Sequence, residues 1–369
     1  MKKIFKPLLA LVFMVLALNG QSQTKLDSLM PIRGFCIGAP AKEDIKDFIK
    51  FIDKEFVPRK INTLVLRVDF RYEYETHPEL RSENPLTKAD IKKLVEACKK
   101  ANIRLIPQVN LLGHQSWASN VGKLLEVYPQ FDETPHVEFP EEYKWPNADG
   151  LYCKSYCPLH PEVHEVVFDI VDEIVEVFET DAFHAGMDEV FYIGDDKCPR
   201  CSGRDKAELF AGEVTKIRNH LLHSNTELWI WGDRLIDGKT TGIGVWEASM
   251  NNTHRAIDMI PKDVVINDWH YVRAVPTAAY FAVKGFRVVS CPWRYGHVAT
   301  AQVRDMVSGR QNSTPQTGEN FHGMMQTIWT SPRRFMDQFY GKEDPAQERG
   351  GNVPDCFREL FDTIGELEE

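Results

Sequence analysis

Two adjacent carboxylates, Asp188 and Glu189, end an apolar run that reads Ala182-Phe183-His184-Ala185-Gly186-Met187. A carboxyl group in such a place can exchange a proton, orient a polar group or balance a developing positive charge, and a pair can divide those tasks. The dipeptide alone carries little information, because Asp132-Glu133 and Asp172-Glu173 also occur. Asp172-Glu173 falls in a helical pattern and Asp132-Glu133 in a polar loop, whereas Asp188-Glu189 terminates a strand behind the small residues Ala185 and Gly186. Other strand-like runs carry comparable residues at their ends. Arg33 opens the first, and others finish at Asn110 and His114, Trp231 and Asp233, Asp268-Trp269-His270, Trp293 and Tyr295, and Trp329. Flat aromatic faces can stack on the C–H faces of a sugar ring while carboxylates and imidazoles bond its hydroxyls, so the set points to a carbohydrate. A single Trp at a strand end can equally be a plug for a core, a reading that four Trp at four strand ends fit less well.

The elements that must position these residues are short apolar strands alternating with amphipathic helices. Strand patterns cover Ile32–Ile37, Thr63–Phe70, Arg104–Leu111, Ala182–Met187, Leu228–Trp231, Val264–Trp269, Arg287–Cys291 and Met324–Trp329. Helical spacing covers Glu43–Phe56, Lys88–Ala101, Glu162–Phe178, Ala207–Leu222, Pro276–Val283 and Phe357–Leu367. Such alternation predicts a parallel sheet, and eight strands in this length predict an α/β (β/α)₈ TIM barrel with its site at the C-terminal strand ends. The segment after the first strand has no glycine-rich phosphate loop, so a nucleotide cofactor is not supported. Two connections exceed what helix packing requires. Gly113 to Pro161 and the Ser/Thr/Gln/Gly tract from Ser308 to Asn320, read as a mobile segment, are both expected to wall or cover the site.

The chain has 369 residues, 43% hydrophobic and 27% charged, which excludes a disordered or fibrous protein. Its formal charge of −10 argues against nucleic acid as the partner. Lys2, Lys3 and Lys6 precede an apolar run from Pro7 to Leu18, and small and polar residues follow. Residues 1–22 therefore read as a cleaved export signal, residues 23–369 as one catalytic domain, and the product as a periplasmic or secreted protein without membrane insertion. Its oligomeric state is not legible. Cys36, Cys98, Cys291 and Cys356 lie in strand or helix patterns and read as buried hydrophobes. Cys153, Cys157, Cys198 and Cys201 lie in the loops after the third and fourth strands, where a structural zinc and disulfides are both compatible with their spacing.

The string His184-Ala185-Gly186-Met187-Asp188-Glu189 resembles the His-x-Gly-Gly-Asp-Glu signature of family 20 glycoside hydrolases, the β-N-acetylhexosaminidases. Arg33-Gly34 resembles that family's sugar-binding Arg-Gly, and Ile106 to His114 resembles its Pro-Glu-x-Asp-x-Pro-Gly-His run. Trp231, Trp269, Trp293, Tyr295 and Trp329 follow in the family's order. The resemblance implies an exo-acting hydrolase that releases terminal N-acetyl-β-hexosamine from glycans by a retaining, substrate-assisted reaction with no catalytic cofactor. It implies that Asp188 orients the substrate's acetamido group and stays ionised, that Glu189 starts protonated as acid and base, and that Tyr295 bonds the acetamido oxygen. Arg33, Asn110, His114, His184, Trp231, Asp233, Trp269, Trp293 and Trp329 become the expected sugar-binding set. His114 and His184 read either as partners that orient the carboxylates or as satisfied core histidines.

Departures from the family pattern bear on specificity. Thr330 and Ser331 follow Trp329 where the family has an acidic residue, Trp293-Arg294-Tyr295-Gly296 replaces Trp-Tyr-x-Asp, and Gln108 and Asn110 replace Glu and Asp. Recognition of the sugar's outer hydroxyls is expected to differ accordingly, with a modified or internal sugar as one outcome. Two other readings stay open: a non-catalytic carbohydrate-binding barrel, and a metal-dependent barrel hydrolase built on His114, His184, Asp188 and Asp233.

Overall fold

The computed structural model describes residues 24–139, 142, 153–345 and 350–368. The expected export signal therefore lies outside the described residues. Eight parallel strands close into a barrel in chain order: Ile32–Gly38, Thr63–Arg67, Arg104–Leu111, Ala182–Gly186, Glu227–Trp231, Val265–Trp269, Val288–Cys291 and Phe321–Thr327. They are called the first to eighth strands below. Every pairing between neighbours is parallel, and the eighth strand returns to the first with Ile32 opposite Gly323 and Cys36 opposite Thr327. Among the described residues no helix is long and apolar enough to cross a membrane.

Strand periodicity sorts side chains between two cores, because successive residues face opposite sides of a sheet. One compact cluster holds Ile32, Cys36, Val65, Ile106, Ala182, Trp229, Trp231, Val265, Trp269, Val289, Cys291 and Met325, and it fills the barrel interior. The alternate residues, such as Phe35, Leu64, Leu66, Leu105, Phe183, Leu228 and Ile266, join a larger cluster with the surrounding helices. Helix Val163–Phe178 shows why the helices form: Val163, Val166, Val167, Ile170, Val171, Ile174 and Phe178 recur at three- and four-residue steps and are buried. Each such aliphatic side chain contributes about 1.5–3 kcal/mol on full burial. Helix Lys88–Lys100 starts at a reciprocal cap between Thr87 and Asp90, and Lys206–Leu221 starts at Asp205, which accepts the Ala207 and Glu208 N–H groups.

Several expected boundaries change. The pattern over Glu43–Phe56 is a 3₁₀ turn, an α-helix over Ile45–Phe51 and a π-helical turn over Ile52–Phe56. The tract from Ser308 to Asn320 is helical and does not cover the site: it ends helix Gly296–Asn312, then forms Pro315–Asn320, capped by Thr314, and leads into the start of the eighth strand at the opposite end of the barrel. Thr314 followed by Pro315 is a helix-start signal that outweighs the polar composition. In the long connection after the third strand, Ser116–Trp117 pairs with Asn120–Val121, and a short helix covers Lys123–Val127.

Gly323 sits at the closing seam with φ of +146°, and a Cβ there would lie 2.1 Å from the Ile32 carbonyl oxygen. Backbone cannot yield as a flexible side chain does. Gly323→Ala is predicted to destabilise the fold by at least about 2 kcal/mol, read as a lower urea midpoint. An unchanged midpoint would show that the seam is not tightly closed.

Candidate active site

The C-terminal tips of the third and fourth strands run through left-handed backbone at residues that rarely adopt it. Leu112 has φ of +61°, His114 +53°, Met187 +68° and Glu189 +51°. Such conformations cost about 1–3 kcal/mol each and persist where surrounding contacts enforce them. Here they bring the neighbouring side chains of Asp188 and Glu189 to one imidazole. The two tips also press together: a Cβ on Gly113 would lie 2.4 Å from the Asp188 carbonyl oxygen.

His114 Nε2 lies 3.0 Å from Asp188 Oδ2 and 3.1 Å from Glu189 Oε2. Burial disfavours charge on His114, yet the Asp188 carboxylate beside it, with the Cys153 thiol, raises its pKa well above the usual imidazole range. Burial likewise opposes ionisation of Asp188, and the His114 charge overcomes it and holds the Asp188 carboxyl below its ordinary range. Asp188 Oδ1 is buried and makes no hydrogen bond within the protein. From the other side, Cys153 Sγ accepts the His114 backbone N–H at 2.9 Å.

Asp233, on the turn after the fifth strand, anchors the Glu189 backbone. Its Oδ2 accepts the Glu189 N–H at 2.9 Å and Arg234 Nε at 2.6 Å, while Oδ1 accepts Trp269 Nε1 at 3.2 Å. Burial pushes the Asp233 carboxyl up to about 6 in spite of Arg234, with Asp188 adding to the rise. His184 lies deeper in the barrel and is neutral, because burial pushes its pKa down to about 3. Its Nδ1 accepts the Gly186 N–H at 3.0 Å, and its ring packs 4.6 Å from Trp231.

Aromatic rings line the mouth of the barrel. Tyr271 lies 4.9 Å from Trp269 and 5.2 Å from Trp293, and Trp231 lies 6.2 Å from Trp329. Trp329 Nε1 donates to the Tyr271 hydroxyl at 3.0 Å. The Arg67 guanidinium sits 4.2 Å over the Trp329 ring and donates to the Ile328 carbonyl. At the rim Trp117 is 59% exposed and stacks on His114 at 6.0 Å. Behind Tyr271, His270 joins Glu247 at 2.8 Å and Asp268 at 3.1 Å. Burial opposes the His270 charge, but Asp268 and Glu247 raise its pKa to about 10.

The model of glycosyl hydrolase family 20, catalytic domain, matches residues 58–342. The chain belongs to this family. A beta-hexosaminidase of Akkermansia muciniphila is 26% identical over 199 residues, covering 46% of this chain and 36% of that protein. A lacto-N-biosidase of Bifidobacterium bifidum is 22% identical over 236 residues, covering 61% of this chain and 18% of that protein. The chain thus spans a minor part of either relative. In fold it resembles the chitobiase of Flavobacterium johnsoniae, with a TM-score of 0.59 and 15% identity over 91% of this chain and 52% of that one.

Within this family 20 barrel the structure keeps some expected site residues together and separates others. Asp188, Glu189 and His114 meet directly, and Trp231, Trp269, Trp293 and Trp329 share one aromatic wall with Tyr271. Asn110 lies against Gly186, accepts Gln108 Nε2 at 3.0 Å and donates its backbone N–H to Asp69. Arg33 is not at the mouth. It lies beside the opposite strand ends, donating to the Lys60 and Met30 carbonyls and pairing with Asp27 at 3.0 Å, and it falls before the family match begins. Arg67, on the second strand, reaches the aromatic wall over Trp329, and Arg294 lies 4.2 Å over Trp293. Tyr295 is the residue before helix Gly296–Asn312, beneath Arg294 and beside His297, and Tyr271 lies among the Trp rings. Asp233 accepts three protein donors, which anchor the Glu189 backbone and the Trp269 ring.

Both expected metal sets also change. His184 and Asp233 do not join His114 and Asp188, because each is held by its own protein donors. Of the four loop cysteines, Cys157, Cys198 and Cys201 converge with Glu133, whereas Cys153 sits behind His114. Arg67, Tyr271, Glu247 and Glu133 were not on the expected list. Arg67 was findable, since it continues the inward parity of Val65.

The raised His114 and lowered Asp188 set the sign of a pH effect. The His114 contribution to stability is fully present below its unfolded value of 6.5 and is lost as pH rises through its higher folded value. The Asp188 contribution is present above 3.8 and is lost as pH falls through its lower folded value. His114→Gln is predicted to destabilise by about 3 kcal/mol near pH 6, with the gap to the wild type narrowing as pH rises above the ordinary imidazole range in thermal melts. A gap that stays constant would mean that His114 is neutral in the fold.

Proposed function

We propose that this barrel releases terminal N-acetylhexosamine from glycans by a retaining, substrate-assisted hydrolysis. The observation that carries the reading is the shared imidazole. One ligand atom each of His114, Asp188 and Glu189 lies within 4.8 Å of the others, where the tips of the third and fourth strands meet. An enzyme nucleophile and acid of the ordinary retaining kind stand about 5–5.5 Å apart across the glycosidic bond. Here both carboxylates approach from one side, so the sugar supplies the nucleophile. The acetamido carbonyl oxygen attacks its own anomeric carbon as the glycosidic bond breaks, and Glu189 gives its proton to the leaving oxygen. Asp188, whose Oδ1 has no protein partner, accepts the acetamido N–H and balances the positive charge of the oxazolinium ring. Glu189 then takes a proton from water as it opens that ring.

His114 keeps Asp188 ionised and releases Glu189 to the substrate as the sugar enters. Trp231, Trp269 and Trp293 enclose the acetamido methyl, and the Tyr271 hydroxyl bonds the acetamido oxygen. Arg67 and Trp329 meet the outer face of the sugar, where Thr330 stands in place of the family's acid. No cofactor takes part in these steps. The amino-terminal pattern of Lys2, Lys3 and an apolar run supports export, with the glycan met outside the cytoplasm.

Turnover of aryl N-acetyl-β-glucosaminide and galactosaminide tests the roles. Glu189→Gln is predicted to lower kcat by about 10²–10⁴-fold, with the smaller loss on substrates whose leaving group needs least protonation. A uniform or absent loss would remove Glu189 as the acid. Asp188→Asn is predicted to lower kcat by about 10²-fold or more on every N-acetyl substrate. A normal rate there would sink the substrate-assisted reading, and binding without wild-type turnover would favour a carbohydrate-binding barrel.

A further inference from the structure

Three thiols and a carboxylate meet in a buried cluster that the proposed reaction does not use. Cys157 comes from the connection after the third strand, and Cys198 and Cys201 from the connection after the fourth. Cys157 Sγ lies 3.6 Å from Cys198 Sγ and 3.5 Å from Cys201 Sγ. A carboxylate oxygen of Glu133 completes the group, and the four atoms all lie within 4.8 Å of one another. Glu133, Cys157 and Cys201 are 0% exposed and Cys198 is 3% exposed.

The spacing discriminates between two kinds of link. A disulfide needs sulfurs about 2.05 Å apart. Thiolates around a tetrahedral zinc, at about 2.3 Å from the metal, stand about 3.8 Å from each other, close to the separations here. The carboxylate gives an independent sign. Glu133 Oε1 accepts the Asp195 N–H at 3.0 Å, but Oε2 is buried and makes no hydrogen bond. An unpaired buried carboxylate oxygen facing weakly polar thiols is costly unless a cation satisfies it.

We propose that Glu133, Cys157, Cys198 and Cys201 bind one structural Zn²⁺. Three soft thiolates in a small tetrahedral set select zinc over hard cations, and four protein ligands leave no open position for chemistry. The metal fastens the connection after the third strand to the connection after the fourth. Cys153, which holds the His114 backbone, lies on the same segment four residues before Cys157, so the zinc fixes the rear support of the carboxylate pair.

Metal analysis of the full chain, purified without chelator, is the test. About one zinc per chain is expected. Cys157→Ser and Cys201→Ser should lose it, and Glu133→Gln should hold it at least about tenfold more weakly in competition with a chromophoric chelator. Cys153→Ser should retain it fully, and loss equal to that of Cys201→Ser would overturn the ligand set. Because a ligand variant can misfold, the wild type is also stripped and refilled with Zn²⁺ alone. The apo chain should melt at a lower temperature and recover on adding zinc. A metal-free, fully stable wild type, or a Cys157–Cys201 or Cys157–Cys198 disulfide in its intact mass, would overturn the proposal.

Discussion

One imidazole holds two adjacent carboxyl groups together in a poorly solvated place. His114 bridges Asp188 and Glu189 at 3.0 and 3.1 Å, and the His114 and Asp188 charges each move the other toward its ionised form. A buried pair of this kind stabilises only when its surroundings fix the geometry and satisfy the remaining polar atoms. Much of the nearby architecture supplies that support. The strained tips of the third and fourth strands aim the three side chains, Cys153 holds the His114 backbone, and Asp233 ties Glu189 to Arg234 and to the Trp269 ring.

The site combines this ionic centre with an apolar wall. Trp231, Trp269, Trp293, Trp329 and Tyr271 exclude water beside Asp188 and so strengthen electrostatic interactions there. Two polar networks orient that wall from behind. Asp233 holds the Trp269 indole, and the Glu247–His270–Asp268 group holds the turn that carries Tyr271.

Strand and helix periodicity made the barrel legible, because the apolar alternation along each strand is a local property of the chain. The same alternation locates Asp188, which continues the inward row of Ala182, His184 and Gly186 past the strand end. It also explains the misassigned arginine. Arg33 lies out of phase with Ile32 and Cys36, whereas Arg67 is in phase with Val65 and reaches the mouth. The remaining differences arise in connections, where spacing does not encode which distant residue arrives. Tyr271 stands two residues past Trp269 and so shares its side of the chain, while Tyr295 is drawn into a helix start. Glu133 was set aside with a polar loop, because only the folded connection brings it to the thiols of another loop.

The most direct measurement is inhibition of aryl N-acetyl-β-hexosaminide turnover by a thiazoline that mimics the oxazolinium intermediate. The shared-imidazole account predicts competitive inhibition with affinity well above that for the substrate, weakened when Asp188 is replaced by Asn. Turnover that continues unchanged at saturating thiazoline would contradict it, because the acetamido group would then play no part in the reaction.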